Sequence, residues 1–218
     1  MKYKIKKKRF DWKKYSDYLI KGIYAGIMIG IGGTVYLSVE NPVAGSFLFS
    51  IGLLMICMYG MNLYTGKIGY ILINKIEYVY ELLLSLLGNF IGTFVVGKLI
   101  LLTRFNGISE RALNMSKMKL DDNVFSIFIL AMFCGMLMYI AVNNYKKVTT
   151  EIGKYIGIFL CVMVFILCGF EHCVANMYYF SVASAYTLKT FLYLIIMVLG
   201  NSVGSVIIAF FYNKFYKN

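Results

Sequence analysis

Phe165-Ile166-Leu167-Cys168-Gly169-Phe170-Glu171-His172-Cys173-Val174-Ala175-Asn176 is the stretch on which the rest of the sequence turns. It carries the single histidine of the chain, with a glutamate beside it, inside a hydrophobic run over residues 156–179. Ionisable groups at membrane depth are costly, so they face a polar interior, a partner or a pathway. Gly169, just ahead of them, lets the backbone leave helical geometry. Irregular backbone at that depth is tolerated only where protein or a water-filled cavity covers it. Two readings follow. One is a helix broken at a permeation site with His172 pointing into the path; the other is a packed polar pair that ties two helices together.

The composition supports a membrane setting. Of 218 residues, 60% are hydrophobic and only 15% charged, where a soluble domain has about a quarter charged. Six apolar stretches approach the roughly 20 residues that cross a bilayer. They lie at residues 18–37, 43–64, 79–102, 124–142, 156–179 and 191–212. The expected fold is an all-α membrane protein of six transmembrane helices: a basic leader over residues 1–17, a channel domain over 18–213 and a short tail over 214–218. The net charge of +12 sits in the ends and short loops, so it marks topology rather than nucleic-acid binding. The leader, the loop after the second stretch, the loop after the fourth and the tail are all rich in lysine. That pattern predicts both termini on the cytoplasmic side of the cell membrane.

The other chemistry-bearing residues are few. Cys57, Cys134, Cys161, Cys168 and Cys173 lie in apolar runs without paired spacing and read as small hydrophobes. One histidine is too few for an ordinary metal site, and no cofactor motif or nucleophile–base pair points to an enzyme. The second stretch is interrupted by Gly45, Ser46, Ser50 and Gly52, as the fifth is by Gly169. A short repeat is also present: Gly88-Asn89-Phe90-Ile91-Gly92 in the third stretch and Gly200-Asn201-Ser202-Val203-Gly204 in the sixth. Three stretches per half, each with a broken middle member, predict an inverted repeat with the site at the interface of the halves.

At this point the sequence resembles the formate/nitrite transporter family. Gly169-Phe-Glu-His-Cys-Val-Ala-Asn-Met177 is similar to the family's Gly-Phe-Glu-His-x-Val/Ile-Ala-Asn-Met signature. Leu63-Tyr64-Thr65-Gly66 resembles its Leu-Phe-Thr-Gly. Lys119, followed by Cys134-Gly135-Met136-Leu137-Met138-Tyr139-Ile140-Ala141-Val142, resembles its lysine and Cys-Asn-x-Leu-Val-x-x-Ala-Val. The resemblance implies an aquaporin-like fold, a homopentamer with one pore per subunit, and passage of formate, nitrite, hydrosulfide or a similar small monovalent anion. It also implies site roles. Phe49 and Leu53 fall at a loop of the second helix. Leu63 and Tyr64 line a constriction beside Thr65, Phe165 stands at a narrow point, and Met138 takes the place of a valine. Glu171 and Asn176 are structural at the site, Glu171 through a carboxylate that anchors the interrupted backbone.

Three departures bear on the solute, one of them a segment between His172 and Gly200 that is shorter than in the family's formate channels. Gly135 stands where the family often has asparagine, which implies added room, and Asn62 stands where many members have glutamate. The physical problem at such a site is charge, because a bare anion is expensive in low dielectric. Lys119 would draw the anion in, His172 would protonate it or donate to it, and Thr65 would orient either partner. A neutral-solute pore and a non-transporting scaffold are the competing readings. The first leaves Lys119 and His172 without a joint purpose, and the second makes His172 dispensable.

Overall fold

The computed structural model describes residues 12–105 and 107–216. Most of the basic leader, residues 1–11, lies outside the described residues, as does Lys217 of the tail. All regular structure among the described residues is helical. Four helices are long and apolar enough to cross a membrane: α1 (Trp12–Ser38), α5 (Tyr78–Ile100), α7 (Val124–Lys147) and α10 (Leu188–Phe215). At 1.5 Å per residue they are about 35–42 Å long, more than the hydrocarbon thickness of a bilayer.

The four pack as two close pairs, α1 on α5 and α7 on α10. Small residues set the approach in both. A Cβ at Gly26 would collide with the backbone of Asn89 across the first crossing. A Cβ at Gly135 would collide with the backbone of Asn201 across the second. Lipid offers no hydrophobic drive between helices, so this contact of backbone on backbone is what holds each pair. Gly135→Ala is therefore expected to lower stability by about 3 kcal/mol, the upper part of the range for overpacking. Thermal melting in detergent micelles measures it, and an unchanged midpoint would contradict the crossing described.

The second and fifth stretches are subdivided. The second forms α2 (Pro42–Phe49), α3 (Ile51–Met58) and α4 (Tyr64–Lys67), followed by a 3₁₀ turn over Ile68–Ile73. Asn41 caps α2 by accepting from the amides of Val43 and Ala44, with Pro42 at the first turn. The fifth forms α8 (Glu151–Leu167) and α9 (Cys173–Val182), separated by residues 168–172.

The interruption in the second stretch differs from the sequence expectation. Gly45, Ser46, Ser50 and Gly52 do not open a loop. Ser46 and Ser50 return their hydroxyls to the carbonyls of Val43 and Ser46, which bends a helix without ending it. Gly52 lies against the backbone of Met28 on α1. Phe49 and Leu53 are accordingly helical residues, the last of α2 and the third of α3, rather than loop residues. The chain leaves the helix later, at Gly60.

Gly60 and Gly169 close their helices in the same way. Both have positive φ, +63° and +67°. The amide of Met61 donates to Ile56 O at 2.9 Å and that of Gly60 to Cys57 O at 3.4 Å. The amide of Phe170 donates to Phe165 O at 2.8 Å and that of Gly169 to Ile166 O at 3.1 Å. This is the glycine-terminated helix end in which two late carbonyls find partners at once.

The polar segment between the third and fourth stretches, residues 103–122, contains α6 (Ile108–Asp121). Its buried face holds Ile108, Ala112 and Ser116, and it packs on α9. This places Lys119, in its last turn, over the fifth stretch.

Candidate transport pathway

Each interrupted stretch leaves backbone amides and carbonyls that lipid cannot satisfy. Two asparagines take them up. Asn201 Oδ1 accepts from the amide of Cys173 at 2.9 Å, and its Nδ2 donates to Glu171 O at 2.8 Å and Ala131 O at 2.7 Å. Asn89 Oδ1 accepts from the amide of Tyr64 at 2.9 Å, and its Nδ2 donates to Asn62 O and Gly22 O, both at 2.8 Å. In each case the carbonyl lies two residues, and the amide four residues, beyond the positive-φ glycine. Leu63 and His172 thus hold corresponding positions, as do Asn62 and Glu171. The sequence displays the Gly-Asn-x-x-Gly repeat but not this use of it, since the partners are distant main-chain atoms.

His172 caps α9. Its Nδ1 accepts from the amide of Ala175 at 3.0 Å, so that nitrogen carries no proton and Nε2 does. Nε2 lies 2.8 Å from Thr65 Oγ1, and with this tautomer it donates to the hydroxyl. Protonated on both nitrogens, the ring would set a donor against the Ala175 amide. The structure therefore holds a neutral imidazole with its donor aimed between the two interrupted stretches. Phe165 stacks on the histidine at 5.5 Å between centroids, and Phe49 meets Phe165 edge-on at 5.9 Å. His172 is 2% exposed and Thr65 fully buried.

A cavity of about 250 Å³ opens on one side of this histidine, lined among others by Tyr36, Met115, Lys119, Phe165 and Glu171. In its wall Lys119 Nζ meets both carboxylate oxygens of Glu171, at 2.9 and 2.8 Å. Asn176 Nδ2 donates to the same carboxylate at 2.6 Å. The Glu171 side chain thus binds other side chains; the interrupted backbone is held by Asn201 instead, which corrects the expectation that this carboxylate anchors it. A second cavity, of about 190 Å³, touches Leu63 and Gly66 on either side of Tyr64 and Thr65. The Tyr64 hydroxyl lies 2.9 Å from Ser202 Oγ on α10.

Two further expected residues are buried in α7. Met138 is in the core at 2% exposure. Gly135 faces the α10 backbone, so its missing side chain makes room for a helix crossing and not for a solute. Among the described residues no group of histidine, cysteine, aspartate and glutamate could hold a metal ion.

The family model for formate/nitrite transporters matches residues 2–214. The chain belongs to the formate/nitrite transporter family. Among its relatives, the uncharacterized transporter YrhG of Bacillus subtilis is 26% identical over 216 residues, covering 89% of this chain and 78% of that one. The formate channel FocA of Haemophilus influenzae is 25% identical over 183 residues, 73% of this chain and 63% of that one. A formate-nitrite transporter of Plasmodium falciparum is 24% identical, covering 92% and 79%. Two solved structures share the fold. A pentameric formate channel with formate bound gives a TM-score of 0.80 at 24% identity, covering 94% of this chain and 99% of that one. An ion channel of the formate/nitrite transporter family gives 0.77 at 22% identity, covering 91% and 88%. Members of the formate/nitrite transporter family are channels and transporters, not enzymes.

Proposed function

We propose that this protein is a channel for a small monovalent anion of the formate, nitrite or hydrosulfide class, which crosses as its conjugate acid. The observation that carries the reading is the neutral, sealed His172–Thr65 pair beside the Lys119–Glu171 ion pair. Lys119 gives two of its three N–H groups to Glu171 and offers the third to the anion in the first cavity. The proton that neutralises it arrives from the acidic side with the solute. His172 Nε2–H and Thr65 Oγ1 then offer the acid a donor and an acceptor in the otherwise apolar passage between Phe165 and Leu63. Hydrophobic rings on either side exclude hydrated ions.

In this reading each interrupted stretch counts as one crossing. The chain then makes six, arranged as an inverted repeat of the aquaporin kind with the site where the halves meet. The matched hydrogen bonds of Asn89 and Asn201 support that arrangement. Both termini lie on the cytoplasmic side of the cell membrane, and the assembly is a homopentamer with a pore in each subunit, as in the pentameric formate channel of the same fold.

Uptake into proteoliposomes of formate, nitrite and hydrosulfide, from about pH 5 to about pH 8, tests the reading. Uptake of one of them is expected to rise with acidity and to fall about 100-fold in His172→Ala, the scale on which removing one preorganised donor acts. Flux of small neutral solutes that ignores pH and survives His172→Ala would overturn it.

A further inference from the structure

The two cavities differ in charge. In the first, Lys119 is neutralised by Glu171 at hydrogen-bond distance. The second is lined by Lys67 and Lys146 and by no acidic residue. Among the described residues neither lysine makes an ion pair. Lys146 Nζ lies 4.0 Å above the ring of Tyr70, and Lys67 Nζ 5.6 Å from the ring of Tyr18. The carboxylates whose charge reaches Lys67, Glu81 and Asp17, are already engaged. Glu81 is held by Lys14 at 2.7 Å and Asp17 by Lys21 at 2.8 Å.

The matched frame shows where this difference comes from. Two residues past each closing glycine stand Asn62 and Glu171, so the carboxylate of one side is an uncharged amide on the other. Seven residues past each glycine stand Lys67 and Asn176, so the amide of one side is a cation on the other. The second change puts a cation in the wall of the second cavity, and the first leaves the segment beside it without a carboxylate. Lys146, at the end of α7, adds a second cation.

We propose that the second cavity is an anion-binding site in its own right, in which Lys67 and Lys146 hold a small monovalent anion one step before the Leu63–Thr65 constriction. The inference deepens the transport reading and rests on it for the identity of the anion. Lys67 is half-buried and Lys146 is exposed; two ammonium groups on a cavity with no acidic lining residue repel one another, and a carboxylate or nitrite between them relieves that repulsion. Low-dielectric walls of Ile56, Leu63 and Val142 strengthen the attraction.

The charge of the cavity can be read without transport. Cys57 and Met61 both line it. In full-length protein in proteoliposomes with Cys161→Ala and Cys168→Ala, a thiol at either position reports the local potential; Cys134 and Cys173 are fully buried. The probes are an anionic and a cationic methanethiosulfonate of similar size, applied to Met61→Cys with Cys57→Ala, and separately to the chain with its native Cys57. The anionic reagent is expected to react about tenfold faster than the cationic one, as a potential of a few kT dictates. Formate should slow it, and the preference should vanish in Lys67→Met/Lys146→Met. An unchanged rate ratio in the double variant would overturn the proposal, as would a cationic preference in the parent. If the ratio collapses but no anion is transported, the site stands and the transport reading falls. If formate is transported but the ratio ignores both lysines, the site alone falls.

Discussion

Lys119→Met is expected to destabilise the protein by about 3–5 kcal/mol, the range for breaking a buried ion pair by removing one partner. The pair qualifies as buried, because the Lys119 side chain is 13% exposed and that of Glu171 only 4%. Removal of the ammonium leaves a carboxylate in a cavity wall with the Asn176 amide as its remaining partner. Glu171→Gln should cost a comparable amount for the opposite reason, since the lysine is then uncompensated. The double variant Lys119→Met/Glu171→Gln should recover most of the loss, because removing both charges removes the desolvation penalty with them. Melting midpoints of the parent, both single variants and the double variant in the same detergent give the coupling. Uptake follows a different rule. If Lys119 draws the anion in, uptake stays low in the double variant although stability returns. Single variants that melt like the parent would show that water already screens the pair.

Asn201→Ala should be as damaging, at about 3–5 kcal/mol, with no charge involved. It orphans the Cys173 amide and the Glu171 carbonyl, while Ala131 O, inside α7, keeps its helical bond, and each unsatisfied buried group costs about 1–3 kcal/mol. The loss also frees the segment that carries His172, so uptake should fall by more than the drop in folded protein accounts for. Asn89→Ala orphans the Tyr64 amide and the Asn62 carbonyl, while Gly22 O keeps its bond within α1, and it should behave alike. Asn201→Asp keeps the acceptor but turns a carboxylate towards two carbonyls, so it should do worse than alanine. Melting midpoints for the three variants decide the matter. A tolerated Asn89→Ala beside a damaging Asn201→Ala would mean that the matched geometry does not carry matched energy.

Much of the candidate site was legible in the sequence because polarity is conspicuous in an apolar run. Glu171, His172 and Gly169 stand out on that ground alone. The family resemblance supplied Thr65 and Lys119, and the structure brings Thr65 to His172 and Lys119 to Glu171. The place of the break in the second stretch was not legible. Gly45, Ser46, Ser50, Gly52 and Gly60 look equivalent in a hydrophobic background, and only packing against α1 separates a glycine that fits a crossing from one that ends a helix. Gly135 misleads for the same reason: a missing side chain reads as space until the neighbouring backbone is seen to fill it. The helix α6 was hidden by its charges, which lower its apolar content without erasing the spacing of Ile108, Ala112 and Ser116. The hydrogen bonds of Asn89 and Asn201 reach main-chain atoms whose side chains leave no mark of them.

Those two asparagines also divide the labour between main chain and side chain. They close the polar groups of each interruption with atoms that no solute needs. The neighbouring positions are thereby released to differ: leucine at one seat and histidine at its counterpart, asparagine opposite glutamate, lysine opposite asparagine. On the proposed transport reading, a new preference for one solute over another starts from substitution at these addresses, with Glu171 and Lys119 changed together so that neither charge is left unpaired. For an engineer who takes up that reading, the matched seats form a short menu for setting the sign and polarity of either cavity.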